Sequence, residues 1–238
     1  MEAMQNAPFV PEQIEAIIFD VIGTLVDEDT AWASVAEKVA AQAGLDMPND
    51  LHQLWVTFLE QRMNAVIDGA SPWEPHSELV SGAARDAVTS LGGTMSVEAS
   101  NLVSFLDRAY TAWPDVADGT AMLRHHRLLA GVSNGDLDSL MWLANANSIS
   151  WDIALSTGSA QTFKPAPAAY QYTIDTLGIN PASTLFVAAH PWDLRAAAQH
   201  GFRTAYIARP GADRPSDDDR FDLSSENLLA LTELLSAD

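Results

Sequence analysis

Four short apolar runs, at residues 128–132, 153–155, 185–189 and 204–208, alternate with helical periodicity at 135–146, 167–177 and 192–200. Strands alternating with helices in this way are joined by crossovers, so the spacing predicts a parallel sheet with helices on both faces. A further run, Ala16-Ile17-Ile18-Phe19, stands far upstream, ends in Asp20 and leads into a Gly23-Thr24 turn. A continuous apolar run of that length fits a strand buried on both faces. Between it and the other runs, residues 32–43, 51–67, 78–91 and 97–110 each repeat apolar residues at helical spacing. Gly44, Pro48-Asn49, the Gly69 to Pro75 stretch and Gly92-Gly93 punctuate them. Trp113-Pro114-Asp115 marks the return to the sheet, residues 211–222 read as an acidic loop, and residues 224–236 as a closing helix. The expected architecture is α/β. A Rossmann-like parallel core is formed by residues 1–28 and 112–238, with a helical cap domain inserted at 29–111.

A chain of 238 residues is long enough for such a core and a smaller inserted unit. Its charge is lopsided: 12 Lys and Arg stand against 32 Asp and Glu, a net charge of −20. Such a surface repels phosphate backbones and anionic lipid heads, which argues against nucleic-acid and membrane partners. An acidic substrate would need a local positive field. With Lys38 and Lys164 the only lysines, the position of each matters. Cysteine is absent, which excludes disulfides and thiolate chemistry. The segment MEAMQNAPFVPEQ has neither a basic start nor an apolar run of signal-peptide length. No stretch approaches the ~18 apolar residues of a membrane span. The expectation is a cytoplasmic protein.

In open α/β sheets ligands sit beyond the carboxyl ends of the strands. Here each expected strand end carries polar residues: Asp20, then Ser133-Asn134-Gly135, then Lys164 in Phe163-Lys164-Pro165, then His190-Pro191-Trp192-Asp193. Any one of them alone reads as a cap, turn or surface residue. Four in order, from distant parts of the chain, would converge on one crevice. Asp20 is a carboxylate, a residue type able to act as a nucleophile and form a covalent intermediate. Thr24 can hold its side chain and the turn backbone. Lys164 keeps two nearby carboxylates, Asp20 and Asp193, from raising one another's pKa. Asp193 is a candidate to orient or activate water. Ser133 and Asn134 can donate hydrogen bonds to a substrate carboxylate or leaving group.

The ordered segments FDVIGTLVD, GVSNGD, FKPAPAAY and FVAAHPWDLRAAA resemble the four motifs of the haloacid dehalogenase superfamily. More narrowly they resemble its type II 2-haloacid dehalogenases, over nearly the whole chain. The resemblance implies an ester on Asp20 that water then hydrolyses, a helical cap closing over a small acid substrate, and a homodimer. Tyr170 matches a family site position. Trp192 offers an apolar wall, with core packing the alternative reading for both.

Magnesium-dependent phosphatases of the same superfamily carry a second Asp two residues after the nucleophile and another in the fourth motif. Here those positions are Ile22 and Ala189, so an acid/base and a hard oxygen ligand are both missing. No metal and no cofactor are expected, and Ile22 becomes part of the substrate wall. In the dehalogenases an Arg that draws off the halide follows a Leu-Trp pair. Here Leu54-Trp55 is followed by Val56, leaving Arg62 or Arg195 as substitutes unless they are ordinary surface arginines. Val56 is expected to face the pocket. His190 is either a base for the hydrolytic water or a cap of the following helix. Three functions fit: a 2-haloacid dehalogenase, a similar enzyme opening a carbon–nitrogen bond (resembling azetidine-2-carboxylate hydrolase), and a non-catalytic binding protein.

Overall fold

A computed structural model describes residues 9–236. The segment 1–8, which carries most of the stretch read as free of a targeting signal, lies outside the described residues. The elements run β1 (Ala16–Asp20), β2 (Val26–Asp27), α1 (Glu28–Ala43), α2 (Pro48–Ile67), α3 (His76–Ser90) and α4 (Val97–Ser104). They continue with β3 (Thr111–Ala112), α5 (Val116–Arg124), β4 (Leu128–Ser133), α6 (Leu137–Asn147), β5 (Ile153–Ser156) and α7 (Pro167–Leu177). The last are β6 (Thr184–Ala188), α8 (Pro191–Gln199), β7 (Arg203–Ile207), β8 (Leu223–Ser225) and α9 (Leu228–Ser236).

Six strands form one parallel sheet in the order β5-β4-β1-β6-β7-β8. Chain order reverses beside β1, which opens a crevice at the carboxyl ends of β1, β4 and β6. All five residues of β1 and of β6 are buried. Their alternation divides the core in two. Ile17, Phe19, Leu185 and Val187 face a cluster with Val116, Leu123, Leu228 and Leu231 of α5 and α9. Ile18, Phe186 and Ala188 face the opposite cluster, with Ala169 and Tyr170 of α7 and Leu194 and Ala197 of α8. The period of two along each strand therefore fills both faces, as a parallel sheet requires.

Helices α1 to α4 lie between β2 and β3, which pair antiparallel so that entry to and exit from the helical segment run side by side. Asp27 caps α1 by accepting from Thr30 N at 3.1 Å, and Gly44 ends it in the left-handed region at φ 72°. Trp55 is fully buried: its ring meets Trp32 edge-on at 4.6 Å, and its Nε1 donates to Val80 O at 2.9 Å. This packing locks α1, α2 and α3 together, and the apolar cluster continues without a break into one face of the sheet.

Two expectations need correction, and one helix was not foreseen. The helix expected at 97–110 stops at Ser104, where Phe105 (φ −109°) leaves helical geometry, and a 3-10 turn, Leu106–Ala109, follows. The closing helix begins at Leu228 rather than 224, because Leu223–Ser225 forms a sixth parallel strand against β7. The helix α5, at 116–124, was not expected at all.

A buried ion pair ties the sheet to its edges. Arg209 donates from Nη1 to both oxygens of Asp115 at 2.8 and 2.9 Å, and from Nε to Thr24 O at 2.8 Å. Asp115 also accepts from Leu228 N, anchoring α9. Removing one partner leaves a buried charge unpaired. Asp115→Ala is therefore expected to lower the unfolding free energy by ~3 kcal/mol. The measurement is the urea midpoint at unchanged slope, and a shift within error would show that water replaces the pair.

Candidate active site

The strand ends deliver their side chains to one place. Asp20 ends β1, and Lys164 reaches it from the loop after β5. Lys164 Nζ donates to Asp20 Oδ1 at 2.6 Å, to Asp193 Oδ2 at 2.5 Å and to Val132 O at 3.2 Å. An ammonium has three donors, and all three are engaged. The three charged groups are almost fully buried, at 4% for Asp20, 3% for Lys164 and 0% for Asp193.

Thr24 is the hinge of the turn after β1. Its hydroxyl donates to Asp20 Oδ2 at 2.7 Å and accepts from Ala189 N at 2.8 Å, which binds that turn to the end of β6. Asn134 Oδ1 accepts from Lys164 N at 2.7 Å and from Thr157 Oγ1 at 3.0 Å. Its Nδ2 donates to Lys164 O at 3.2 Å, so this side chain fixes the backbone that carries the lysine. Ser133 Oγ accepts from Gly135 N at 3.2 Å.

Burial pushes the Asp20 carboxyl up, but the charges of Lys164 and His190 outweigh it and hold the group below its ordinary value. Burial and the neighbouring Asp20 push Asp193 the other way despite its own bond to Lys164. For Lys164, burial lowers the pKa, yet the two carboxylates prevail and raise it. The arrangement is an ionised Asp20 beside a charged lysine, with Asp193 the carboxylate that bears the cost of crowding.

A cavity of about 310 Å³ opens beside this cluster. Asp20, Ile22, Val56, Ser133, Asn134, Lys164, His190 and Trp192 line it, so most residues singled out from the sequence come together. Val56 faces the cavity as expected. His190 occupies the capping position of α8, but its ring makes no cap bond. Instead Nε2 lies 3.2 Å from Ile22 O and 3.7 Å from Asp20 Oδ2, and the ring stacks on Trp192. The turn is built around that ring. At Gly23, with φ 82°, an added Cβ would lie 2.5 Å from His190 Nε2.

Tyr170 and Asp193 do not line the cavity as expected, and Arg62 and Arg195 take their alternative reading as ordinary surface arginines. Tyr170 is buried behind the site and does not line the cavity; its hydroxyl donates to Asp193 Oδ1 at 2.6 Å. Asp193 is also absent from the wall; one of its oxygens accepts from Lys164 and the other from Tyr170. Arg62 pairs with Asp86 beside a separate groove between α2 and α3, and Arg195 pairs with Asp219 on the surface. Neither substitutes for the missing arginine.

The cavity also holds residues that the sequence did not single out: Glu28, Glu60, His76, Tyr110 and Asp213. Glu28 sits in an Asp27-Glu28-Asp29 run at the start of α1, where acidic residues ordinarily complement a helix N-terminus. Burial, then Asp20, Asp29 and Asp27, push its carboxyl up against the opposing pull of His190, to about 7.

Magnesium does not fit this donor set. Lys164 and Thr24 occupy the Asp20 oxygens, the His190 ring covers the Ile22 carbonyl, and Ala189 offers no ligand. Among the described residues no group of three or more His, Asp or Glu is arranged to hold a metal ion, and no helix is long and apolar enough to cross a membrane.

A family profile for haloacid dehalogenase-like hydrolases matches residues 14–201. The chain is 30% identical over 208 residues to the (S)-2-haloacid dehalogenase 4A of Burkholderia cepacia, covering 84% of this chain and 85% of that protein. Its fold superposes on a crystal structure of an L-2-haloacid dehalogenase with a TM-score of 0.85, at 27% identity over 94% of this chain and all of the other. A defluorinating L-2-haloacid dehalogenase superposes with a TM-score of 0.82 at 28% identity, over 97% of this chain and all of the other.

Glu28 offers a test of the site's electrostatics. Its pKa is about 7 in the folded chain against an ordinary 4.5. Below the lower value both states hold the proton and the residue is neutral to stability. Between the two the unfolded chain ionises first, and above 7 the folded state carries the full penalty. Glu28→Gln is therefore expected to stabilise the protein at pH 8 by ~1–3 kcal/mol, with the gain fading toward pH 4.5. Paired thermal melts across that window check it. A gain independent of pH would mean that the carboxyl is ordinarily solvated.

Proposed function

Because the chain belongs to the haloacid dehalogenase-like hydrolase family, we propose that it hydrolyses a small 2-haloacid through an ester on Asp20. The observation that carries this reading is the buried contact of Lys164 with both Asp20 and Asp193, beside a cavity with no magnesium donor set. An oxygen of ionised Asp20 bonds to C2 as the halide departs with the C–X electron pair, inverting that carbon. Water then adds to the carbonyl carbon of the ester, giving one proton to a base and the other to the departing C2 oxygen. The acyl–oxygen bond breaks, the 2-hydroxy acid leaves, and the Asp20 carboxylate returns.

His190 faces the cavity 3.7 Å from Asp20 and takes the proton from that water in its neutral form, with Nε2 released from the Ile22 carbonyl. Glu28, in the same wall, is the further carboxyl able to accept it. Asp193 and Tyr170 act as positioning residues for Lys164. Residues 29–111 serve as the cap over a core of 1–28 and 112–238. A homodimer and a cytoplasmic location belong to the same proposal, resting on the resemblance and on the cysteine-free composition.

The apolar Val56 and the rim carboxylates Glu60 and Asp213 favour a second reading. In it the same ester chemistry acts on a leaving nitrogen of a small 2-substituted acid, whose positive charge those carboxylates would suit.

The test is halide release from a panel of 2-chloro- and 2-bromoacids, with and without chelator. Wild type is expected to release halide at a rate that chelator leaves unchanged, and a quenched reaction should contain Asp20 carrying the mass of the acyl group. Asp20→Asn is expected to fall below ~1% of wild-type turnover while keeping its fold. Ring opening of a cyclic 2-amino acid without halide release would transfer the proposal to the second reading.

A further inference from the structure

Asp136 stands at the N-cap of α6, where an Asp ordinarily accepts from the first turn of its own helix, yet its side chain makes no such bond. Both of its oxygens face another helix. Oδ1 accepts from His76 N at 3.1 Å and Oδ2 from Ser77 N at 3.0 Å. These are the first two residues of α3, whose own N-cap is Pro75, a side chain with no acceptor to offer. The first turn of a helix leaves its N–H groups without partners inside the helix. In α3, Glu78 N donates to Pro75 O at 3.0 Å, and the two N–H groups ahead of it are met by Asp136. A helix between β2 and β3 is thus capped by a residue of the loop after β4, 60 positions further along the chain.

The same stretch touches the core at two more points. At Gly158 an added Cβ would lie 3.1 Å from Trp73 Cζ2, so that indole rests on the turn Thr157–Ala160. The His76 ring is edge-on to Phe163, with centroids 6.4 Å apart. Both contacts fall on the segment that leads into Lys164, and Asp136 follows closely on Asn134. Residues 73–77 therefore rest on the two loops that bring Asn134 and Lys164 to the cavity wall, and His76 lines that wall beside them. The large apolar cluster between helices and sheet is broad and has no direction of its own. The two charge-assisted bonds to Asp136 fix where the start of α3 sits.

Resting on the dehalogenase reading, we propose that Asp136 is a positioning residue that latches the cap to the core. By capping α3 across the boundary between them, it holds His76 against the Asn134 and Lys164 loops and keeps the cavity in its closed form. Asp136 itself touches no substrate. Without it the start of α3 lifts from the core, and apparent affinity falls with the fraction of molecules that stay closed.

The experiment measures kcat and KM for (S)-2-chloropropionate, together with amide exchange at 157–163. It compares wild type, Asp136→Ala, Asp136→Asn, and Asp136→Ala combined with Pro75→Ser. The serine gives α3 a local cap but no tie to the core. Asp136→Ala is expected to raise KM about tenfold while kcat falls less than about threefold, because bound substrate still closes the cavity. Exchange at 157–163, beneath Trp73 and His76, should speed up several-fold. Asp136→Asn, which keeps one acceptor oxygen, should lie between. Adding Pro75→Ser should restore the melting temperature but neither KM nor the exchange. If Asp136→Ala does not fold, Asp136→Asn takes its place, alone and with Pro75→Ser. Unchanged KM and exchange, a loss confined to kcat, or recovery of both KM and exchange by Pro75→Ser overturns the latch, and the contact would then serve helix stability only. A wild type that releases no halide overturns the dehalogenase reading alone; the exchange comparison needs no substrate and still decides the latch.

Discussion

Two carboxylates share one ammonium at the centre of this fold, with almost no water reaching any of the three. Taking such charges out of water costs several kcal/mol for each ion, recovered only where every hydrogen-bonding position is matched. Here every ammonium proton and every carboxylate oxygen has at least one partner. Lys164 has three acceptors, Asp193 has a lysine and a tyrosine, and Asp20 has a lysine and a threonine. Replacing such a buried cluster with well-packed apolar residues is often neutral or stabilising. The cluster is therefore weak evidence for stability and strong evidence for use.

The surrounding architecture holds that cluster still. The carboxyl end of β1 lies between β4 and β6, where the reversal of chain order opens the crevice. Thr24 stitches the turn after β1 to Ala189, and Asn134 stitches the end of β4 to Lys164. Arg209, itself held by Asp115, clamps the carbonyl of Thr24 from the far side. The helical segment joins through one continuous apolar cluster and through the Asp136 bonds to the start of α3. Each tie runs between segments far apart in sequence, so the site forms only when the whole fold does.

That also explains what could be read from the sequence. Strand ends were legible because a buried parallel strand is a run of apolar residues, and the first polar residue after it marks the crevice. Asp20, Asn134, Lys164 and His190 were found in this way. Leu223–Ser225 was missed because three residues with one apolar side chain carry no period. The break at Phe105 was missed because apolar spacing continues past the point where the backbone leaves the helix. Direction was a deeper limit. Tyr170 and Asp193 lie at the expected positions, but nothing in their spacing says that one points at the other rather than into the cavity. Glu28 and His76 were not singled out at all, because the partners that bring them to the cavity are far away in the chain.

The charge count of the cluster bears on the proposed reaction. When both carboxylates are ionised, they and the one ammonium leave a net charge of −1 in a nearly dry site. Forming the ester removes the charge of Asp20, and Lys164 then faces Asp193 as a neutral pair. Without Asp193 the same step would strand a buried ammonium, a penalty comparable to breaking a buried ion pair, ~3–5 kcal/mol. The second carboxylate therefore serves the ester state more than the resting one, which accounts for its place behind Lys164 rather than in the cavity. The resting excess of negative charge has the opposite effect on an anionic substrate. It adds to the −20 of the whole chain and weakens the initial encounter. That repulsion eases as the ester forms and the halide carries its charge out of the contact, so the same electrostatics that weaken ground-state binding favour the chemical step.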